Sequence, residues 1–247
     1  MINYPDPTNY INILTQMLTK NVDYVEVQLP FSNPVADGQL IHNAHNLALK
    51  WDFNLFQELQ KISKLKQELN SKTKLVLMSY ITPIFYFGIN KVLKAVQEAG
   101  FEGVIVPDMP LGSKEQKEFS QQAKSLGISW IPLISPLTNK SRLEKIKQNL
   151  TPSQLIYATA RKGKTGSKTD FENQETKNYL HFLKQNLTDF QILIGFGVRS
   201  KEHLDLLNKQ GFLVVVASEM IKRIEEQNSD TNQIKTAVKQ FLSEFGY

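Results

Sequence analysis

Residues 23–30 read DYVEVQLP, and FSNPVADGQLI follows at 31–41. Successive side chains of an extended segment face opposite ways. Val25, Val27 and Leu29 therefore share one face, and Tyr24, Glu26 and Gln28 the other. The aliphatic face suits packing against helices, which turns Glu26 the opposite way. Six more short apolar runs follow: KLVLMSY (74–80), GVIVPD (103–108), SWIPLIS (129–135), LIYAT (155–159), QILIGFG (191–197) and FLVVVAS (212–218). Runs this continuous indicate parallel strands buried on both faces.

Amphipathic helical patterns separate these runs, at 11–20, 54–69, 89–100, 113–127, 140–150, 175–187 and 200–211, with a last one at 231–245. Gly100, Gly127 and Gly211 stand where helices commonly stop. The opening residues MINY (1–4), followed by Pro5-Asp6-Pro7, are read as the stub of an eighth strand. Eight strand–helix units without a linker or composition break predict an α/β fold, a (β/α)8 TIM barrel. It would be one domain over 1–247, shortened at the N-terminus. A doubly wound sheet is the alternative, since strand order cannot be read from sequence.

Composition narrows the function. At 247 residues, 41% apolar and 21% charged, the chain can bury a sizeable core. No apolar run approaches the roughly 20 residues that span a bilayer, and the start has no signal-peptide pattern. A cytoplasmic protein off the membrane is expected. The absence of cysteine excludes disulfides, thiolate metal sites and a Cys nucleophile. His42, His45, His181 and His203 show no metal-ligand spacing, so no metal is expected; His42 and His45 read as solvent-facing polar residues. The net charge of +5 is spread over amphipathic segments. It forms no basic stripe with aromatics, so no nucleic-acid partner is expected, while a small anionic ligand suits it.

In a barrel the ligand site lies where strands end. Glu26 would point into the lumen, where burial raises a carboxyl's pKa and readies it for proton transfer near neutrality. The plainer reading is a structural ion pair, with a lysine such as Lys74. Asp37 offers a second carboxylate on the same rim, although Asp-Gly is also an ordinary turn. Across the mouth, the loops after the last strands carry Gly163, Gly166, Gly195 and Gly197, and Ser218 stands before EMIKRIEE (219–226) as its N-cap. Such loops hold phosphate through backbone N–H groups. Ordinary turns and an ordinary cap are the plainer reading.

The stretch ARKGKTGSK (160–168) tests a nucleotide-binding alternative. A phosphate-binding G-x-x-x-x-G-K-[ST] loop needs glycine where Ala158 stands, and a helix directly after it. GSKTD (166–170) is poor helix material. A mobile lid over a substrate is the better reading.

EVQLPFSNPVADG (26–38), VIVPDMPL (104–111), RKGKTG (161–166) and IGFGVRS (194–200) together resemble the tryptophan synthase α chain family, in order and over essentially the whole chain. The resemblance implies a (β/α)8 barrel lyase of tryptophan biosynthesis, cleaving indole-3-glycerol phosphate to indole and glyceraldehyde 3-phosphate. It implies no cofactor in this chain, and an α2β2 complex with a β chain that carries pyridoxal phosphate. By position, Glu26 and Asp37 match the catalytic acids. Thr165, Gly166, Gly197 and Ser218 match phosphate-binding positions, Tyr157 and Phe196 line the substrate pocket, and the loop of Asn33 and Pro34 couples to the β chain.

Several positions depart from the family pattern. Asn33 stands for a common Asp, Ala217 for a glycine, Glu219 for a small apolar residue and Thr82 for an asparagine, and the helix usually preceding the first strand is missing. Ala217 would restrict the backbone, and Glu219 could repel a phosphate. These changes keep open a weakened chain that mainly activates its β partner. A different phosphate-binding barrel enzyme is the third reading.

Overall fold

The computed structural model of the chain describes residues 1–159, 171, 173–195 and 197–247. Strands and helices alternate along it: α1 (Pro7–Thr19), β1 (Tyr24–Gln28), α2 (Gln39–Ala48), α3 (Leu55–Glu68), β2 (Lys74–Met78), α4 (Ile81–Phe87), α5 (Ile89–Glu98), β3 (Gly103–Ile105) and α6 (Lys114–Ser125). The second half continues with β4 (Ser129–Ile131), β5 (Leu133–Ile134), α7 (Lys140–Lys147), β6 (Leu155–Thr159), α8 (Gln174–Asn186), β7 (Gln191–Gly195), α9 (Lys201–Asn208), β8 (Leu213–Val214), α10 (Ser218–Glu225) and α11 (Thr231–Glu244). The strands form two sheets in the orders β1-β2-β3-β4 and β5-β6-β7-β8. Every pairing is parallel.

Pro132 divides the fourth apolar run between the two sheets. Its ring leaves no N–H for a ladder. Ile131 pairs with Ile105 on one side of it, and Leu133 with Tyr157 on the other. The Pro132 carbonyl still accepts from the Tyr157 N–H at 3.0 Å. The run therefore passes from one sheet to the next, and an expected single strand becomes β4 and β5.

Both sheets curve around one interior. Val76, Met78, Ile105, Ile131, Leu155, Tyr157 and Leu193 form a single buried cluster drawn from strands of each. On the outer face, Val25, Val27, Leu75, Leu77 and Val104 join a separate core with helical residues such as Leu14, Leu59, Leu93 and Phe119. This is the two-layer (β/α)8 arrangement that the strand alternation predicts.

The N-terminal stub is a correction. Residues 1–4 form no strand. The Ile2 N–H does reach the Gln28 carbonyl at 2.9 Å, and Ile2 is fully buried. Asn3, however, adopts a left-handed φ of 59° and Pro5 has no donor, so an extended ladder cannot continue. Two helices, α2 and α4, also lie where no helical run is expected from the sequence. Among the described residues no helix is long and apolar enough to cross a membrane.

The turn after the stub starts α1 cleanly. Asp6 caps it, with Oδ1 accepting from the Asn9 N–H at 2.9 Å and Oδ2 from Asn9 Nδ2 at 2.7 Å, and Pro7 occupies the first turn. The helix buries Tyr10, Ile13, Leu14 and Leu18. Asp6→Ala is expected to cost about 1 kcal/mol in denaturant unfolding, and Asp6→Asn much less.

Candidate active site

At the C-terminal ends of the strands lies a pocket lined by Glu26, Gln28, Asp37, Tyr157, Gly197 and Ser218, with Arg199 and several apolar side chains. It spans both sheets. A larger groove, about 470 Å³, runs along α3 and α5 beside Lys64, Lys91 and Lys94. Size favours the groove, but converging reactive groups favour the strand-end pocket.

Glu26 pairs in register with Val76 and Gln28 with Met78, both members of the interior cluster. The carboxyl thus faces inward, as the alternation predicts. Lys74 is no partner for it: that ammonium lies 3.4 Å from Tyr24 Oη and 3.4 Å from Glu102. Glu26 Oε2 is buried with no hydrogen-bond partner among the described residues, while the residue opens to the pocket. Burial foremost, then the charge of Asp37, pushes its pKa from 4.5 up to about 7, partly offset by the amino group of Met1.

Asp37 has the opposite surroundings. Its Oδ2 accepts from Tyr80 Oη at 2.9 Å and from Gln28 Nε2 at 3.2 Å, and lies 3.2 Å from His45 Nε2. Gln28 ends β1, His45 sits on α2, and Tyr80 is the second residue after β2. Burial, and then Asp37 itself, pushes the Tyr80 phenol above its ordinary range, so this group remains a donor. His45 is wholly buried, which corrects its reading as a solvent-facing residue. It lies on the apolar side of α2 with Ile41, Ala44 and Ala48. Sequence reasoning missed His45, Tyr80 and Gln28. The stripe of apolar residues at helical spacing would have placed His45 inside.

Tyr157 is buried beneath the two acids, and burial, then Glu26 and Asp37, holds its hydroxyl protonated. Its ring lies against Gly195, where a Cβ would overlap the hydroxyl and ring edge. On the opposite rim Gly197 has a φ of 92°, open to glycine and costly for other residues. Ser218 lines the pocket but is not the cap. Ala217 takes that position at φ −103° with no side-chain cap, and Ser218 is the first helical residue. Ala217 therefore offers the first-turn amides of α10 no side-chain acceptor. Because its φ is negative, Ala217 needs no glycine. The Glu219 carboxylate turns to Arg223 Nε at 3.0 Å and is absent from the pocket lining. Arg199 does line the pocket, a cation the sequence reading did not ask for.

Asn33 is exposed and Pro34 buried in the loop after β1, where the Pro34 carbonyl accepts from the Asp37 N–H at 3.0 Å. Thr165, Gly166 and Phe196, with the lid expected at 160–168, lie outside the described residues. Among the described residues no group of three or more His, Asp or Glu side chains could hold a metal.

The raised pKa of Glu26 carries a stability consequence. The folded protein holds this proton more tightly than the unfolded chain, so stability is full below about pH 4.5 and declines as pH rises through about 7. Relative to Glu26→Gln, the wild type is expected to lose about 3 kcal/mol across that window, read from denaturant midpoints at each pH. Parallel curves for the two proteins would contradict it.

Comparison with known proteins places this geometry. Residues 1–246 match the family described as tryptophan synthase alpha chain. The tryptophan synthase alpha chain of Acaryochloris marina is 33% identical over 223 residues, 90% of this chain and 80% of that protein. The one from Carboxydothermus hydrogenoformans is 34% identical over 221 residues, again 90% and 80%. A mutant tryptophan synthase alpha-subunit from Pyrococcus furiosus superposes with a TM-score of 0.82 at 30% identity, covering 98% of this chain and 93% of its own. A tryptophan synthase complex from the same organism gives 0.81 at 30% identity, covering 98% and 92%. With its family pattern matched almost end to end and its barrel shared with these relatives, the chain belongs to the tryptophan synthase alpha chain family.

Proposed function

We propose that this chain, a single barrel domain over residues 1–247, is the α subunit of a cytoplasmic tryptophan synthase. It cleaves indole-3-glycerol phosphate to indole and glyceraldehyde 3-phosphate. The observation that carries the reading is the contrast between two carboxyls on one pocket: Glu26, whose enclosed oxygen has no donor among the described residues, and Asp37, whose Oδ2 accepts from Tyr80 and Gln28 and lies beside His45. Such a contrast sets a proton donor beside a lasting negative charge.

Glu26 gives its proton to C3 of the indole ring. The Asp37 carboxylate accepts the ring N–H and stabilises the positive charge that forms there. Glu26, now ionised, takes the proton from the hydroxyl on the adjoining glycerol carbon. The carbon–carbon bond breaks, its electron pair restores the aromatic ring, and the glycerol carbon becomes the aldehyde. Glu26 ends as it began.

Gly197, Ser218 and the uncapped start of α10 hold the phosphate, joined by Thr165 and Gly166. Tyr157 and Phe196 flank the indole. Asn33 and Pro34 face a β chain that carries pyridoxal phosphate, in an α2β2 assembly; this chain uses no cofactor of its own. The idea of a weakened chain gains nothing from Ala217 or Glu219, given their observed conformations.

Steady-state indole release with the β chain present tests the reading. Wild type should turn over, with activity falling as pH rises above about 7 and Glu26 loses its proton. Glu26→Gln should reduce kcat by about 10²-fold or more. No indole from wild type would overturn the proposal. Gly195→Ala should displace the Tyr157 ring and lower kcat about tenfold, while leaving the unfolding transition cooperative.

A further inference from the structure

We propose that His45 is a positioning residue, one that holds Asp37 as an oriented carboxylate by donating a proton whose location the backbone dictates. The inference rests on the assignment of Asp37 above, but its geometry stands alone. His45 is fully buried on α2. Its Nδ1 accepts from the backbone N–H of Phe31 at 3.0 Å, and its Nε2 lies 3.2 Å from Asp37 Oδ2. An amide N–H can only donate, so Nδ1 carries no proton. The single proton of the neutral ring is then on Nε2, aimed at the carboxylate.

Tyr80 repeats the device. Its hydroxyl accepts from the Ala36 N–H at 3.1 Å and donates to the same Asp37 oxygen. Phe31 and Ala36 belong to the loop that bears Asp37. By occupying the acceptor sites of both rings, this loop obliges both to donate toward its own acid. Gln28, Tyr80 and His45 thus share one acceptor, Oδ2 of Asp37. The phenol and imidazole rings also pack edge to face, with centroids 6.4 Å apart, which limits rotation of either. Asp37 gains a fixed rotamer and a charge matched by neutral donors instead of a cation. A neutral donor leaves that charge available to a substrate in the pocket.

The experiment compares His45→Phe, His45→Gln and Asp37→Asn with the double variant His45→Phe/Asp37→Asn, all assayed for indole release with the β chain. Phenylalanine keeps the ring and loses both hydrogen bonds; glutamine can still accept and donate. His45→Phe should lower kcat about tenfold with KM changed less than about twofold, and His45→Gln should recover most of the loss. In the Asp37→Asn background, His45→Phe should cost nothing further. An equal loss in both backgrounds, or unchanged kcat in His45→Phe, would overturn the inference.

Imidazole ¹⁵N spectra of the full-length wild-type protein give a readout independent of turnover. They should show a neutral ring protonated on Nε2 that changes on Asp37→Asn. Protonation on Nδ1 would overturn the inference even if the phenylalanine variant failed to fold. A wild type that releases no indole yet shows the Nε2–H tautomer would defeat the proposed activity and leave the His45–Asp37 pairing standing.

Discussion

Three donors converge on Oδ2 of Asp37 and tie together elements far apart in the chain. Hydrogen bonds to a charged group contribute about 1.5–3 kcal/mol each, and a buried carboxylate without them is strongly disfavoured. The donors come from the end of β1, from α2 and from the second residue after β2. Satisfying one carboxylate therefore fixes how β1, α2 and the segment after β2 meet. The loop between β1 and α2 follows from the same requirement, since its Phe31 and Ala36 amides must reach His45 and Tyr80. Phe31 also packs on the Tyr80 ring, with centroids 5.3 Å apart.

Beside this acid, Glu26 Oε2 has no donor among the described residues, and the two surroundings act together. The charge of Asp37 adds to burial in retaining the Glu26 proton. A donor aimed at Glu26 Oε2 would weaken that effect. Tyr157 also stays protonated, through burial first and then through Glu26 and Asp37. The chemical difference between two similar side chains thus arises from where neighbouring N–H and O–H groups point.

Much of the fold could be read from local pattern. The seven apolar runs all contain strands, and the inward face of Glu26 followed from period-2 alternation in YVEVQ. The failures have specific causes. Pro132 breaks a ladder without ending an extended run, so its effect depends on which neighbours it passes between. The stub at 1–4 had the composition of a strand, but Asn3 turns the backbone away. The helix α4 has seven residues and follows its strand at once, leaving no room for a periodic signal. In the site, both acids stood out as carboxylates in a predicted rim. Their partners did not: Asp37 meets Tyr80 across 43 residues of chain, and no local pattern encodes such a pairing. His45 alone was recoverable, from its place among Ile41, Ala44 and Ala48.

The opposite rim raises a problem of its own: a carboxylate, Glu219, at the start of the helix that faces the pocket. A negative side chain there stabilises the helix through its dipole and would repel an anion if it turned inward. Arg223, one turn later, removes the conflict by holding Glu219 at 3.0 Å, and is itself held by Glu244 of α11 at 2.7 Å. The helix keeps the favourable charge while its first-turn amides stay clear for a ligand. An anion bound there would be held chiefly by amide dipoles, with Arg199 on the rim. That arrangement is compatible with the raised pKa of Glu26 on the other wall, which a ring of lysines strong enough to bind an anion by charge alone would lower.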